Sequence, residues 1–469
     1  MAGDPSATIA AAEAALASVV ADELAKCAKC GQCMSVCPIY AQKNSEAYCA
    51  RGKLILARSL ADQTLAPSPE LREMLDNCLL CLACVKNCGS AVRLDKVIRA
   101  ARRLLVLKQG QPLIKALALR AMLPNPKLMS AAMKSGRYMQ PLAFAALPEN
   151  SGLRRRFPLP GIAGDQPIPA IASPSFLEGI PEYAAPTESP ETGQVTYFCG
   201  CAANYLLPSI AEAAVYVLSR FGKGVFVPRE QACCGAPAAV NGEEDAVRKL
   251  AHRNLAILAR NKNTVITSCG SGGLMLSREY AGFWRPDDPL HQTALGVGKR
   301  VRDISEYLIN EIGSEAIAAK LVRTIDARIA YHDPCHLGRG IGVHKEPRGI
   351  LSLVGKNFTE MAEADRCCGS GGTYGFTHWE TSKAILERKI GNAQKAQATI
   401  IATGCPACIM QLSGGSENMK AGIFVCHTVE LLAWAMGFAS SPVNRAIARM
   451  NAHGGGLYPP TISGLAQSC

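Results

Sequence analysis

The chain has 469 residues, 48 % of them hydrophobic and 19 % charged, and a formal charge of +12. That length accommodates two to four domains at about 150 residues each. Its 21 cysteines would suggest disulfides in a secreted protein. However, Met1-Ala-Gly-Asp-Pro5 lacks the basic region and apolar core of a signal peptide, and no apolar run is long enough to span a bilayer. The expectation is a cytoplasmic chain whose thiols bind metal or do redox work. The positive balance suits an acidic partner, an anionic membrane surface or an ordinary solvated surface. Arg154-Arg155-Arg156 is too short a basic run to indicate nucleic acid, and no nucleic-acid partner is expected.

Residues 8–25 mix helix formers, apolar positions and acidic positions, which predicts one amphipathic helix. Cys27-x-x-Cys30-x-x-Cys33-x-x-x-Cys37-Pro38 follows, and Cys78-x-x-Cys81-x-x-Cys84-x-x-x-Cys88 repeats the spacing with Gly89 in the proline position. This is the run of bacterial two-cluster ferredoxins, in which the fourth cysteine serves the other cluster. It predicts one cubane 4Fe–4S cluster on Cys27, Cys30, Cys33 and Cys88, and a second on Cys78, Cys81, Cys84 and Cys37. Zinc ribbons would use pairs rather than quartets. Cys49 lies outside both runs and is expected to be a buried free thiol. Arg93, Lys96, Arg99, Arg102, Arg103 and Lys108 recur at roughly helical spacing. They predict a basic face turned to a partner subunit, to lipid headgroups or simply to solvent.

Ten prolines between Pro141 and Pro190 interrupt regular structure, so residues 141–192 are expected to be a partly extended linker. The remainder is an internal repeat of roughly 130 residues. The first copy runs from a strand at Val195–Cys199 through Cys201, a helix near 204–221, a strand at Gly224–Pro228 and Cys233-Cys234-Gly235. A helix near 243–260 and a strand ending at Cys269 complete it. The second copy runs from Arg328–His332 through Cys335, Lys345–Val354, Phe358–Met361 and Cys367-Cys368-Gly369. A helix near 379–396, the strand Thr399–Ala402, and Cys405 with Cys408 close it. Alternating strands and helices predict a parallel sheet in each copy, with the cysteines gathered at the strands' carboxyl ends.

The copies differ in thiols. The second holds five: Cys335, Cys367, Cys368, Cys405 and Cys408. The first offers Cys199, Cys201, Cys233, Cys234 and Cys269, with Gly272 where the last thiol would stand. Three options stay open for it: Cys199 substitutes, a four-ligand cluster forms, or no cluster forms. Cys49, Cys426 and Cys469 are left over. Beside Cys335, the residues His332, Asp333 and His336 are candidate catalytic proton donors, or hydrogen-bond partners of cluster sulfurs. The fold class is therefore α+β multidomain. A mainly helical two-cluster ferredoxin domain spans 1–140 and the linker 141–192. Two α/β repeats span 193–315 and 316–445, and a C-terminal tail spans 446–469.

Two ferredoxin runs followed by two Cys-Cys-Gly repeats resemble the iron–sulfur subunit of glycolate oxidase. The pattern is also similar to iron–sulfur subunits of D-lactate dehydrogenases and to heterodisulfide reductases. Cys367-Cys368-Gly-Ser-Gly-Gly-Thr-Tyr-Gly-Phe-Thr-His378 carries the glycolate oxidase likeness. The full five-cysteine set is similar to the heterodisulfide reductase motif, which implies a noncubane 4Fe–4S cluster on Cys335, Cys367, Cys368, Cys405 and Cys408. The family implies an oxidoreductase electron-transfer subunit. An FAD-containing partner would oxidise glycolate or D-lactate, and a quinone or another redox carrier would accept the electrons. The complex would be cytoplasmic or peripheral on the inner face of the cytoplasmic membrane. No Gly-x-Gly-x-x-Gly follows a predicted strand, so neither flavin nor NAD is expected on this chain. The alternative is a disulfide or heterodisulfide reductase whose catalytic centre is the same five-thiol site.

Overall fold

The computed structural model describes residues 5–147, 151–159, 161–187, 190–438 and 442–452. Cys469 and most of the predicted tail lie outside these residues, although a helix, Pro442–Ala452, covers the start of that tail.

The N-terminal part is helical, as its periodicity predicts. Helix Pro5–Lys26 buries Ala12, Leu16 and Val20, one stripe at i, i+4 spacing, against helices Ala50–Ala61 and Leu94–Gln109. The two cysteine runs are matching loops that each close on one helical turn, Gln32–Ser35 and Ala83–Lys86. Each loop has two left-handed residues, Lys29 and Gly31 in the first, Leu80 and Leu82 in the second. Such alternation turns successive backbone N–H groups toward the hollow of the loop.

Helix Leu94–Gln109 carries the expected basic series, but the series does not form a free face. Arg99 pairs with Glu279, Arg103 with Glu244 at 2.5 Å and Lys108 with Glu13 at 2.5 Å. Arg93 is bound to Asp95. Arg102 is buried and donates to the carbonyls of Leu75, Asp76, Cys78 and Val240 at 2.7–3.0 Å. Arg99, Arg102 and Arg103 are spent on the first repeat, Lys108 on the N-terminal helix and Arg93 within its own helix. Lys96 stays exposed.

The proline-rich segment does more than tether two domains. β1 (Phe144–Ala146) and β2 (Leu153–Arg155) form an antiparallel hairpin. The segment then packs on the second repeat. Arg154 donates to Asn418 (2.8 Å), Trp379 Nε1 to Asp165 (2.8 Å), and Gln166 to the Gly375 carbonyl (3.0 Å). Proline removes backbone donors, and these side-chain contacts supply the missing attachments. β3 (Tyr183–Ala184) adds an antiparallel edge to the first sheet. That sheet otherwise consists of the parallel strands β4 (Gly193–Phe198), β5 (Lys223–Phe226), β6 (Thr264–Thr267) and β7 (Val301–Asp303), in the order β3-β5-β4-β6-β7.

The second sheet is built from β8 (Ile325–His332), β9 (Gly355–Thr359), β10 (Ile400–Thr403) and β11 (Phe424–His427), all parallel, in the order β11-β10-β8-β9. Without β3 the two sheets have one topology, so the repeat seen in sequence is a repeat in space. The predicted helix 204–221 is two, Gly200–Tyr205 and Pro208–Arg220, because Pro208 starts a new helix at its first position.

The repeats share a core. Helix Pro208–Arg220 packs its Ala211, Ala214 and Leu218 against helix Thr428–Ala435. Tyr216 OH donates to the Met436 carbonyl at 3.0 Å, and its ring lies 4.7 Å from Phe438. Among the described residues, no helix is long and apolar enough to cross a membrane.

Arg102→Leu removes the donor from four buried or part-buried carbonyls and cuts the link from the second cysteine run to Val240. It is expected to destabilise the protein by about 3 kcal/mol. The readouts are a lower thermal midpoint and faster amide exchange around residues 236–242; unchanged exchange there would contradict the link.

Candidate metal centres

The two ferredoxin-type sets of thiols each line a cavity. Cys37, Cys78, Cys81 and Cys84 line one cavity; Cys27, Cys30, Cys33 and Cys88 line another, with Cys84 at the border between them. The fourth cysteine of each run thus faces the first three of the other. The donor chemistry fits iron–sulfur clusters: the thiols converge in apolar surroundings, and Asp95, the carboxylate that lines the first cavity, is held by Arg93. Backbone N–H groups reach sulfur at 3.5 Å, Tyr40 to Cys37 and Val92 to Cys88. N–H···S bonds of this kind raise a cluster's potential. Lys53 is buried next to Cys37 and Cys78; burial pushes its ammonium down and the two thiols oppose that. Cys49, expected to be a bystander, is in hydrogen-bond contact with Cys33 and accepts from the Gly52 N–H at 3.5 Å.

The Cys-Cys-Gly region holds the more consequential geometry. Cys335 follows β8, Cys405 and Cys408 follow β10, and Cys367-Cys368 end the loop after β9. The glycine of the motif is required. Gly369 sits at φ +92°, and a Cβ there would lie 2.7 Å from the Ser382 carbonyl. Hydrogen-bond contacts join Cys335 to Cys367, Cys367 to Cys368, Cys368 to Cys408, and Cys408 to Cys405.

The run of contacts extends beyond the predicted five. Cys81 of the ferredoxin-type part contacts Cys367, and Cys269 of the first repeat contacts Cys405. Seven thiols from three parts of the chain form one network. The contact with Cys367 and then burial raise Cys81 and Cys335 well above the ordinary thiol range. By contrast, contacts with Cys367 and Cys408 lower Cys368, and contacts with Cys269 and Cys408 lower Cys405; a coordinated thiol is deprotonated by the metal.

Two cations face this network. Arg339 donates to the Cys81 carbonyl (2.9 Å); burial opposes its charge, and Cys81, Cys335 and Cys367 outweigh that. Lys389, 2 % exposed, donates to the Ala364 carbonyl (3.1 Å) and is pushed down to about 8 by burial, against Cys368 and Cys367. Arg339 lies on the helical turn that begins right after Cys335, whereas Lys389 lies on helix Trp379–Lys395, away from any cysteine spacing.

The three candidate catalytic residues have different environments. His332 is fully buried at the end of β8. Neither ring nitrogen has a hydrogen-bond partner among the described residues, and a ring nitrogen lies within 4.8 Å of the Cys368 and Cys408 sulfurs. Burial lowers it to about 3, so the ring is neutral at ordinary pH. This orphaned imidazole, aimed at the thiols, also fits a metal centre. Asp333 is committed to Arg348 through two 2.7 Å bonds. His336 spans two neighbours: one nitrogen meets Ser271 Oγ (3.0 Å) and the other the Leu80 carbonyl (3.1 Å). The carbonyl can only accept, so Nε2 carries the proton and Nδ1 accepts from Ser271. His427, which sequence reasoning passed over, is in register with Thr403 beside His332. Its Nδ1 accepts from the Val429 N–H, and its Nε2 has no partner among the described residues. The available signal was the likeness of Val301-Arg-Asp-Ile-Ser-Glu-Tyr-Leu308 in the first repeat to Val425-Cys-His-Thr-Val-Glu-Leu-Leu432 in the second, with Asp303 at the equivalent place.

The first repeat does not gather its five thiols. Cys201 and Cys233 are 3.4 Å apart with Cys234 in contact, whereas Cys199 faces Gln231 Oε1 at 3.3 Å. Cys269 reaches into the second site. Phe198 in register with Thr267 occupies the place that His332 in register with Thr403 takes in the second repeat. Cys426 is fully buried in β11 among core residues.

The cysteine-rich domain, CCG, matches residues 195–277 and 329–413, and the 4Fe-4S dicluster domain matches 23–92. The chain thus joins a match to a dicluster domain with two matches to a cysteine-rich domain. It is 28 % identical over 429 residues to a probable glycolate oxidase iron-sulfur subunit of Bacillus subtilis, covering 89 % of this chain and 95 % of that one. It is 28 % identical over 451 residues to a subunit of the dihydromethanophenazine:CoB–CoM heterodisulfide reductase of Methanosarcina barkeri, covering 91 % and 97 %. Lactate utilization protein A 2 of Bacillus cereus is 27 % identical over 242 residues, 51 % of this chain and 98 % of that one. The expected kinship holds, and with it the expectation of an iron–sulfur oxidoreductase subunit.

Cys269→Ser is expected to alter the EPR signal of the second-repeat centre while leaving the dicluster signals in place. An unchanged spectrum would separate Cys269 from that centre. Arg339→Gln, which removes the cation beside Cys81, Cys335 and Cys367, is expected to lower that centre's reduction potential by tens of millivolts in a redox titration.

Proposed function

We propose that this chain is the electron-transfer subunit of a complex that oxidises a 2-hydroxy acid, glycolate or D-lactate. Cys27, Cys30, Cys33 and Cys88 hold one cubane 4Fe–4S cluster, and Cys78, Cys81, Cys84 and Cys37 the other. Cys335, Cys367, Cys368, Cys405 and Cys408 hold a third, noncubane cluster. Iron–sulfur clusters exchange single electrons, so the two-electron substrate requires an FAD-containing partner. The electrons leave to a quinone or another carrier, and the complex sits at most peripherally on the inner face of the membrane.

The observation that carries this reading is the contact between Cys81 and Cys367. A thiol of the dicluster part and a thiol of the Cys-Cys-Gly site sit in one small core cluster, with Cys335 packed against it. From the second repeat, Arg339 and His336 donate to the consecutive carbonyls of Cys81 and Leu80 in the dicluster loop. The relatives' names, glycolate oxidase subunit and lactate utilization protein, support the substrate class.

A second reading, a centre that cleaves a disulfide, draws on the heterodisulfide reductase relative and on the unpartnered His332 beside Cys368 and Cys408. The two separate experimentally. Clusters reduced by glycolate or D-lactate only when the flavoprotein is present support the first. A disulfide reduced by the isolated, chemically reduced chain supports the second and removes the first. Cys368→Ser is expected to keep the dicluster EPR signals and to abolish electron delivery to any acceptor.

A further inference from the structure

A cavity of about 310 Å³ lies against the Cys-Cys-Gly site and plays no part in holding its thiols. Its floor contains Ser370 and Gly372, which follow Cys367-Cys368-Gly369, and Ala407, which lies between Cys405 and Cys408. Its walls come from elsewhere: Leu153 and Ile168 from the proline-rich segment, Leu207 from the first repeat, and Trp379 from the second. The hydrogen bonds of Asp165 and Gln166 to Trp379 and Gly375 hold the proline-rich wall in place.

Among the described residues, the lining contains no charged side chain. Gln166 is buried and its amide is spent on Gly375 and the Ala163 N–H. Gln411 donates to Ser382 Oγ at 2.9 Å. Ser370 brings a hydroxyl to a largely apolar surface. Phe376, also in the lining, is half exposed, so the cavity opens to solvent.

A carboxylate substrate would need a cation in such a site, because an unpaired anion in apolar surroundings is strongly disfavoured. A 2-hydroxy acid is therefore a poor occupant. A neutral, flat molecule with carbonyl acceptors suits both the apolar walls and the Ser370 hydroxyl. The cavity also falls within the size range of small-molecule sites.

We propose that this cavity binds the ring of a quinone, beside the backbone that carries Cys368, Cys405 and Cys408. The proposal rests on the electron-transfer reading, for which it names the exit. The quinone takes up two electrons and two protons and leaves as a quinol. The electrons originate in hydroxy-acid oxidation on the partner, and the protons come from water at the open side by Phe376. The proline-rich segment is then a wall of the acceptor site rather than a spacer.

The probe is duroquinone, whose ring is fully substituted and cannot be alkylated by thiols. Titrated anaerobically into the oxidised full-length chain, it is expected to quench Trp379 emission saturably. Trp379→Phe is expected to lose most of the quench while still binding in equilibrium dialysis. Filling the walls with Leu153→Phe or Ile168→Phe is expected to weaken binding by about tenfold or more, with the EPR signals of all centres unchanged. Absence of saturable binding, or equal affinity in both filled variants, overturns the proposal. Hydroxy-acid-driven cluster reduction through the flavoprotein is measured in the same preparations. Reduction without duroquinone binding removes the cavity proposal and leaves the electron-transfer reading. Duroquinone binding without any such reduction keeps the site and removes its role as the exit.

Discussion

The structure depends on one constraint: thiols from three separately folded parts must meet at one buried point. Cys81 comes from a ferredoxin-type loop, Cys269 from the first repeat, and five more from the second. Burying so many ionisable sulfurs is unfavourable unless something compensates. Arg339 and Lys389 supply positive charge, and a bound metal centre would supply the rest. Thiols grouped in this way therefore hold the parts in register as well as serving chemistry.

The same junction explains why so many polar side chains act as clamps. His336 uses both ring nitrogens to tie the second repeat to Ser271 of the first and to Leu80 of the second cysteine run. Arg102 ties that run to Val240. Gly270 allows the repeats to approach, since a Cβ there would sit 2.9 Å from Leu337 Cβ. Each contact fixes the separation between sulfur sites, and electron transfer depends on that separation. The basic helix was spent on this docking, which is why it offers no continuous face outward.

Duplication and divergence of one unit account for the asymmetry. Both sheets keep one strand order. In the second repeat the strand ends carry His332 and His427, whose free nitrogens have no partner among the described residues. In the first, Phe198 fills the place equivalent to His332, Cys199 turns to Gln231, and Cys269 is lent to its twin. The first repeat reads as a scaffold that has kept the fold and given one thiol away.

Much of this was legible in the sequence. Cysteine spacing anticipated which thiols line each of the two cavities, because a short loop leaves little freedom in where its thiols point. Period and repetition determined the helical N-terminal part and the paired parallel sheets. The glycine of Cys-Cys-Gly follows from a positive φ that a side chain would strain. Tertiary structure alone decided the rest. The Cys81–Cys367 and Cys269–Cys405 contacts, the cations Arg339 and Lys389, and the folding of the proline-rich stretch over the second repeat join residues far apart in the chain. No local pattern encodes such distances. They follow from how separately formed elements pack, and packing is settled by burial and shape summed over the whole molecule.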